Sequence, residues 1–511
     1  MMSNIRIPAS LTLALLLGAC SLTPVLEKPS APLPASYGEA AAPASPAANA
    51  ADLGWQTMFG DPRLRALIDL ALKNNRDLRL ALLNVQSVRA QFDIQDSNRL
   101  PTLTANAGLV KQRAAGVVDS QKSAGLSISA FELDVFGRVA ALSESAFARY
   151  MASDENRRAV QISLVGAVAD AYFAQRLAEE QLQLTERTLA DWQRSLELAR
   201  QLKSARQRSG LDVAEAEGQV ATAQADREAR LRAVALAGNA LDLLTGVRTS
   251  GGLLTGAHAP DGDLTVARAP IGLPVGVRTS DGLPPGTRAP NGQLAGGPAP
   301  DGLPPGMALD KQPVLVQLPA GLPSDLLTRR PDIRQAEQAL LAANADIGAA
   351  RAAFFPQISL TASLGYASPS LSGMFDSGNR VWSFAPQITQ PLFNHGRLRS
   401  ELRLAEVRKS AAVIEYEKAV QTAFREVADG LAGSATYGRQ LEAQSRVVHS
   451  AERRLELSRL RYEAGQDSRL ELLDAQRLLY AAQQTQLELR RNEFGNAVAL
   501  YKALGGGLRT E

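Results

Sequence analysis

Alternating apolar and polar residues predict four β-strands in this chain. The predicted strands are residues 103–109, 126–130, 358–366 and 382–388. The first and third strands follow a proline, Pro101 and Pro356, and their polar positions are mostly Thr, Ser, Asn, Gln or Gly. Strands of about ten residues with this alternation are typical of a membrane β-barrel. A soluble sheet with one face on a core alternates in the same way, so the pattern alone leaves both architectures open.

Long stretches without proline predict two unusually long helices. Residues 139–206 and 398–464 can each run as a single helix, roughly 100 Å long. A helix of this length needs a lateral partner, and apolar residues at heptad spacing supply the contact surface. These residues are Leu182, Leu189 and Leu196 in the first half of the chain, and Leu473, Tyr480, Leu487, Phe494 and Tyr501 in the second. Two long helical hairpins are therefore expected.

The predicted elements occur twice, because the chain contains an internal repeat. An offset of 255 residues is shared by three pairs of landmarks: Asp77 and Asp332, Pro101 and Pro356, and Gly210 and Gly465. A constant offset over this distance indicates duplicated structural units. Each unit is predicted to run helix, strand, loop, strand, long helix, glycine turn and helix. Four strands cannot close a barrel by themselves, so a barrel requires an oligomer.

The repeat divides the chain into two predicted halves, residues 53–246 and 313–511. Between them, residues 247–312 repeat a Gly- and Pro-rich decapeptide. This composition favours turns and cannot bury enough apolar surface to offset the chain entropy, which predicts a disordered loop produced by repeat expansion. A β-turn solenoid or a partner-binding element is the alternative.

The N-terminus has the order of a bacterial secretory signal. Residues 1–19 begin with one Arg and no acid, continue with a short apolar run, and end just before Cys20, the only cysteine of the chain. The sequence Leu-Gly-Ala-Cys that ends at Cys20 looks like a lipobox, so Cys20 is predicted to carry a covalent lipid. Ser21 after it resembles the pattern of outer-membrane sorting. The alternative is an ordinary signal peptide with an incidental cysteine. Residues 20–52 are rich in Pro and Ala and are predicted to be a lipidated linker.

Composition and charge argue against several other functions. Lys and Arg total 55 and Asp and Glu total 52. The two signs alternate along the predicted helices, unlike the clustered basic patch of a nucleic-acid-binding protein. His258, His395 and His449 stand apart, with no metal-ligand spacing around them. We therefore expect no nucleic acid, no metal site and no enzyme activity, and no cofactor other than the lipid on Cys20.

Four motifs of the second half resemble those of the outer membrane factor family. They are residues 322–333 (LPSDLLTRRPDI), 336–337 (AE), 343–348 (ANADIG) and 353–356 (AFFP). The resemblance is closer still to the lipoprotein subfamily of nodulation-protein-T type, which forms drug-efflux channels. Residues 132–138 and 390–397 match the two strand-to-helix joints of the family. The resemblance covers roughly residues 53–246 and 313–511.

The resemblance implies a mainly α protein with a membrane β-barrel. Three copies would each give four strands to one twelve-stranded outer-membrane barrel, which continues into a long α-helical barrel across the periplasm. The implied partners are two further copies, outer-membrane lipid, a periplasmic adaptor and an inner-membrane pump of the resistance-nodulation-division type. The implied location is the outer membrane of a Gram-negative bacterium. The implied function is a passive, gated exit duct for drugs and toxic small molecules.

The resemblance also implies a gate just after the second hairpin turn. Glu471 and Asp474, three residues apart on one helix face, match the pair of acidic positions that line the periplasmic constriction of the family. Threefold symmetry would bring six carboxylates together as a cation-attracting ring. Without the resemblance, the sequence favours two ordinary acids on a solvated helix face. Arg461, Asp467 and Arg469 are candidates for the ion pairs that hold the gate closed.

The tips of the two predicted hairpins are candidate docking sites for the adaptor. They contain Gly210 and Leu211 in the first half and Gly465 and Gln466 in the second. The glycines also permit tight turns, and both roles can hold at once. The predicted extracellular loops are residues 111–123 and 367–380.

Two other functions stay open at this point. An exporter of proteins or metal ions, as in type I secretion, would share the same architecture. A lipid-anchored periplasmic adaptor or spacer without a pore would explain the anchor and the hairpins. It would leave the four alternating strands and the duplication unexplained.

Overall fold

The chain is mainly helical and carries one small antiparallel sheet. The computed structural model describes residues 21–29, 50–207, 209–248, 302–319, 321 and 323–509. The predicted signal peptide, Cys20, and most of the predicted linker and decapeptide insertion lie outside the described residues. Among the described helices, none combines the length and the apolar character that crossing a membrane requires.

The elements follow the duplicated order predicted from the sequence. The first half contains α1 (Trp55–Met58), α2 (Pro62–Asn74), α3 (Arg76–Ser97), β1 (Leu103–Ala114), β2 (Val117–Leu133), α4 (Arg138–Ser204) and α5 (Gly210–Thr245). The second half contains α6 (Leu326–Arg329), α7 (Pro331–Ala352), β3 (Gln357–Ser368), β4 (Arg380–Thr389), α8 (Arg397–Glu463) and α9 (Arg469–Ala503). Single 3-10 turns occur at Ala50–Asp52, Leu309–Lys311, Pro323–Asp325 and Ser377–Asn379.

The two long helices are confirmed. α4 and α8 each contain 67 residues, which corresponds to roughly 100 Å. Both follow a glycine in the left-handed conformation, Gly137 with φ 73° and Gly396 with φ 82°. These glycines let the chain turn sharply from a strand into a helix, since other residues adopt positive φ only at a cost.

The internal repeat is confirmed, but its offset changes along the chain. α3 and α7 begin 255 residues apart, at Arg76 and Pro331, whereas α4 and α8 begin 259 residues apart, at Arg138 and Arg397. The joint between the second strand and the long helix is longer in the second half, which shifts everything after it. The equal spacing of Gly210 and Gly465 therefore does not mark equivalent positions.

The hairpin turn of the first half is made without glycine. Gly210, predicted as the turn residue, is the first residue of α5. Gly465, with φ 71°, occupies the left-handed position after α8, and Arg206, with φ 59°, occupies the matching position after α4. A backbone hydrogen bond closes the C-terminal end of each long helix. The Gln207 N–H donates to the Leu202 carbonyl at 2.9 Å, and the Gln466 N–H donates to the Arg461 carbonyl at 2.9 Å.

In each half, a polar side chain just before the helix that leads into the strands hydrogen-bonds to a backbone carbonyl at the end of the last helix, and we call this contact the polar clamp. In the first half the Asn75 side chain before α3 donates to the carbonyl of Leu244 at 3.0 Å. In the second half Arg330, before α7, donates to the carbonyl of Ala503 at 2.9 Å and also to Glu426 on α8 at 2.8 Å. The clamp thus ties the start of each half to the end of its last helix.

The main core surrounds the middle of α4 and the end of α9. Its largest buried side chains include Trp55, Tyr172, Phe173, Phe494 and Tyr501. Segments that precede and separate the two halves wrap this core, because Ala50, Leu309 and Gln312 are buried in it. The folded region therefore includes a few residues that the sequence assigned to the linker and to the insertion.

A buried carboxylate holds these wrapping segments in place. Asp61, at the start of α2, accepts hydrogen bonds from the Tyr172 hydroxyl at 2.6 Å, from Gln312 Nε2 at 2.8 Å and from the Met307 N–H at 3.1 Å. Burial, and then the bond to Asp61, raise the pKa of Tyr172, so its hydroxyl stays a donor.

The predicted heptad residues pack the hairpins. Leu189 and Leu196 of α4 form a second core with Trp192, Val213 and Val220 near the hairpin end. On α9 the predicted residues Leu473, Phe494 and Tyr501 are buried, while Tyr480, Leu487 and, on α4, Leu182 are half-buried. The long helices are therefore held by side-to-side packing, as the spacing predicts.

The four strands form one antiparallel sheet in the order β1-β2-β3-β4. The expected loop at residues 111–123 is wrong, because β1 and β2 continue through it and only Ala115 and Gly116 make the turn. In β2 a bulge at Ala130, with φ 49°, shifts the register by one residue between Ile128 and Phe131.

The bulge keeps one face of the sheet apolar from Leu126 to Leu133 of β2. The sequence alternation of β2 changes phase after Ile128, and the extra residue returns Phe131 and Leu133 to the same face. Paired residues on this face are Leu103 and Ile128, Leu126 and Leu364, Phe131 and Leu360, Ile358 and Ile388, and Ala362 and Phe384. The other face carries small polar residues, such as Ser127, Ser363 and Ser383.

The difference between the two hairpin turns predicts opposite effects of exchanging their residues. Arg206→Gly is expected to stabilise the first turn by about 1 kcal/mol, since glycine adopts positive φ without strain, and Gly465→Ala to destabilise the second by a similar amount. Native-state hydrogen exchange of the tip amides measures both. Equal protection in Arg206→Gly and the parent chain would contradict the strain assigned to Arg206.

Candidate functional site

The predicted gate residues lie at the free end of the second hairpin. Ser468 precedes α9, Glu471 lies in its first turn, and Asp474 follows one turn later on the same side. Both carboxylates are partly accessible to solvent, whereas Leu472 and Leu473 between them are buried. The acidic pair therefore points away from the hairpin packing, as lining a channel requires.

Two arginines hold the acidic pair. Arg454, on α8, approaches Asp474 at 3.0 Å and Glu471 at 3.6 Å, and Arg477, one turn further along α9, approaches Asp474 at 2.7 Å. Sequence reasoning missed Arg454. The signal was present, because a hairpin that turns at Gly465 brings together residues about equally far on either side of the turn.

Arg461 and Asp467, two of the candidate latch residues, form an ion pair within the tip of the second hairpin. Two guanidinium nitrogens of Arg461 donate to the two oxygens of Asp467 at 2.7 and 2.8 Å. The hydrogen bonds and then the charge of Arg461 lower the pKa of Asp467. The pair joins the last turn of α8 to the loop of the same hairpin, so it fixes the shape of the tip.

Arg469, a candidate for an ion pair in the sequence analysis, hydrogen-bonds to a serine of the first hairpin. It is buried and donates to the carbonyl oxygen of Ser195 at 2.7 Å and to its hydroxyl at 3.1 Å. Ser195 lies on α4, so Arg469 joins the second hairpin to the first. The hydroxyls of Thr185 and Tyr480, 2.8 Å apart, continue this connection along α4 and α9.

The first hairpin lacks this arrangement at the equivalent positions. Asp212 and Glu215 correspond to the acidic pair, and Gly210 corresponds to Arg469. Asp212 accepts a hydrogen bond from the Ser209 N–H at 3.1 Å and caps α5, so it serves the helix end. The acidic pair with its arginines is thus specific to the second hairpin.

The predicted docking residues lie at the tips of the hairpins. Leu211, the second residue of α5, is 67% exposed, and Gly210 beside it begins the helix. Gly465 and Gln466 form the turn between α8 and α9. Exposed backbone and exposed apolar side chains, Leu211 on α5 and Leu470 on α9, thus occupy the ends of the hairpins.

The sheet presents a bare apolar surface and two open edges. Trp382, Phe384 and Ile388 on β4 are 72%, 62% and 70% exposed. β1 and β4 are the edge strands, and each has only one neighbour within the described part of the chain. An exposed apolar sheet with open edges is an incomplete structure that needs both a partner strand and an apolar surrounding.

The segment that follows Cys20 lies along α7. The side chain of Asn344 is buried and donates to the carbonyl of Pro24 at 2.8 Å, and Lys28 forms an ion pair with Glu337. A Cβ at Gly348 would lie 2.9 Å from the Cα of Thr23, so the close approach requires glycine. Residues 21–29, which we call the strap, therefore run antiparallel to α7, with Thr23 near the C-terminal end of the helix and Lys28 nearer its N-terminal end.

Histidine and acidic residues form no further site in the described part of the chain. There, no group of three or more potential ligands is placed to hold a metal ion. His395 lies in the joint before α8 and His449 lies on α8, whereas His258 falls outside the described residues. Cys20, the predicted lipid attachment point, falls outside them as well.

Comparison with known proteins identifies the family. The model of the family described as outer membrane efflux protein matches residues 67–247 and 322–506. The two stretches correspond to the two repeats and leave out residues 248–321, which contain most of the predicted insertion.

Curated relatives are similar over nearly the whole chain. The solvent efflux pump outer membrane protein SrpC of Pseudomonas putida is 43% identical over 512 residues, with 96% of this chain and 96% of SrpC covered. The outer membrane protein OprJ of Pseudomonas aeruginosa is 40% identical over 508 residues, with 98% of this chain and 95% of OprJ covered.

A solved structure has the same fold. The open state of the MtrE outer membrane channel of Neisseria gonorrhoeae is similar with a TM-score of 0.81 and 38% sequence identity, over 96% of this chain and 99% of MtrE. The resemblance predicted from the sequence, the fold class and the outer-membrane location are thereby confirmed. The chain belongs to the outer membrane efflux protein family and is an outer membrane efflux channel, not an enzyme.

Proposed function

We propose that three copies of this chain form the exit channel of a tripartite pump that expels small toxic molecules. The names of relatives include a solvent, a toluene and an antibiotic efflux pump outer membrane protein, which supports small apolar or amphiphilic substrates. The channel itself is passive, and a periplasmic adaptor connects it to an inner-membrane pump of the resistance-nodulation-division type.

The observation that carries the assembly is the incomplete sheet. Its apolar face suits lipid and its small polar face suits a water-filled lumen. Pairing the free edge of β4 with the free edge of β1 in the next copy satisfies both edges, and three copies close twelve strands. A spacer without a pore would leave Trp382, Phe384 and Ile388 exposed to water.

The tips of the hairpins are the proposed docking sites for the adaptor. Gly210 and Leu211 on the first hairpin and Gly465 and Gln466 on the second project beyond the packed part of the helices. The exposed side chain of Leu211 offers an apolar contact. Arg461 and Asp467 support this role because their ion pair holds the second tip in one shape.

Glu471 and Asp474 form the proposed gate at the periplasmic end of the channel. The carboxylates of three copies meet around the axis where the hairpins converge. Arg469 restrains the gate, because its bonds to Ser195 on α4 keep α9 against the first hairpin. Opening the channel requires the second hairpin to move relative to the first, and these bonds oppose that motion.

Removing the acidic pair is expected to loosen the gate. Glu471→Ala combined with Asp474→Ala should raise the closed-state conductance of the purified trimer in planar bilayers several times, because the ion pairs between α8 and α9 are lost. Glu456→Ala, which removes an exposed acid of α8, is the control and should leave conductance unchanged. Conductance of the double variant equal to that of the control would rule out the gate assignment.

The strap supports lipid attachment at Cys20. From Glu337 to Gly348 the helix rises about 16 Å, and the extended strap from Lys28 to Thr23 spans about the same distance. The beginning of the strap therefore lies beside the end of α7 that leads into β3. Three further residues span at most about 10 Å, so a lipid on Cys20 would be within reach of the level at which the strands enter the membrane.

The anchor and the strap are expected to respond differently to substitution. Cys20→Ser should abolish incorporation of radiolabelled palmitate. Asn344→Ala should retain the label but expose residues 21–29 to protease, since the carbonyl of Pro24 loses its donor. Continued labelling of Cys20→Ser would exclude lipid attachment at this residue.

A further inference from the structure

The gate contains as many positive as negative groups. Within one copy, the carboxylates of Glu471 and Asp474 are matched by the guanidinium groups of Arg454 and Arg477. The four side chains are between about one-third and three-quarters exposed, so they lie on the surface of one copy, on the side proposed to face the channel axis. The acidic pair is therefore not a bare ring of negative charge.

Arg454 differs from Arg477 in what it connects. Arg477 lies three residues after Asp474 on α9 and moves with it, whereas Arg454 lies on α8 and approaches both carboxylates from across the hairpin. It is the group among the four that joins the two helices. Any change in the packing of α8 on α9 therefore changes the charge that surrounds the acidic pair.

The consequence for permeation follows from electrostatics. A ring of uncompensated carboxylates attracts cations and excludes anions, while paired charges produce a much weaker field at the axis. Three copies with two carboxylates and two guanidinium groups each leave no net charge in the ring. Weak charge selection suits a duct whose proposed substrates are largely uncharged.

We propose that Arg454 sets the charge selectivity of the gate by neutralising Glu471 and Asp474 from the opposite helix. The inference rests on the proposed position of the acidic pair at the channel axis. It replaces the expected cation-attracting ring with a compensated one. Arg454 acts here as a specificity-determining residue of the channel.

The first hairpin has an acid at the position equivalent to Glu471, but this acid has a different partner. Asp212 corresponds to Glu471 and is used to cap α5, so its carboxylate faces its own backbone. In the second hairpin Ser468 makes no side-chain cap bond, and Glu471 is left for Arg454. The second half thus differs from its duplicate at the feature that carries the proposed role.

The test is the reversal potential of single channels in a potassium chloride gradient. Arg454→Gln should raise the cation-to-anion permeability ratio roughly two- to fivefold over the parent trimer. Arg454→Lys keeps the charge and should stay near the parent value. Arg453→Gln, which removes the same charge one residue away on α8, is the matched control and should also stay near it.

A charge exchange provides a second, independent measurement. Arg454→Asp combined with Asp474→Arg retains opposite charges across the hairpin and should restore the parent permeability ratio, whereas Arg454→Asp alone should shift it further towards cations. Trimers that resist SDS before heating establish that each variant has assembled. Equal ratios in Arg454→Gln and Arg453→Gln would overturn the proposal.

The outcome is distinguishable from failure of the gate itself. If Glu471→Ala with Asp474→Ala raises conductance but Arg454→Gln leaves selectivity unchanged, the gate assignment is supported and the proposed role of Arg454 is wrong. If the double acid variant changes neither conductance nor selectivity, the acidic pair is away from the axis and both proposals fail.

Discussion

Hydrogen bonding of the strand edges is the constraint on which the architecture depends. Lipid offers no partners to backbone N–H and C=O groups, so a sheet can lie in a membrane only when every edge is paired. The described part of this chain supplies four strands with open edges at β1 and β4. The bulge at Ala130 keeps the face that would meet lipid apolar from Leu126 to Leu133 of β2. Assembly around an axis follows from these facts, because one copy cannot satisfy its own edges.

The duplication explains why the two halves share their main features, and differences between the halves are found at the hairpin tips. Each half has a glycine before its 67-residue helix. Each half also has a polar clamp, Asn75 or Arg330, that ties its start to the end of its last helix. The halves diverge at the tips. In the first half, Asp212 caps the start of α5. In the second half, Glu471 and Asp474 contact Arg454, and Arg469 is buried against the first hairpin. The residues of the proposed gate thus lie where the two halves of the chain differ.

Local patterns predicted the strands, the long helices and the duplication, because each depends on periodicity within one segment. Patterns could not predict the partner of Arg469, since Ser195 lies 274 residues away in the chain. Arg454 was overlooked, although the hairpin turn at Gly465 brings it opposite Asp474. The extension of β1 and β2 through residues 111–123 was missed because its polar residues resemble a loop. Gly210 was assigned to the turn because glycine is the usual residue with positive φ, and here Arg206 takes that position.

The most direct test of the account is disulfide cross-linking between copies across the β1 and β4 edges. Asn106→Cys on the polar face of β1 is combined in turn with Ser383→Cys, Ala385→Cys and Gln387→Cys on the polar face of β4. We expect at least one combination to give, on oxidation in outer-membrane vesicles, a covalent trimer that survives heating in SDS and disappears on reduction. A protein that gives only monomers in every combination would contradict closure of the barrel by three copies.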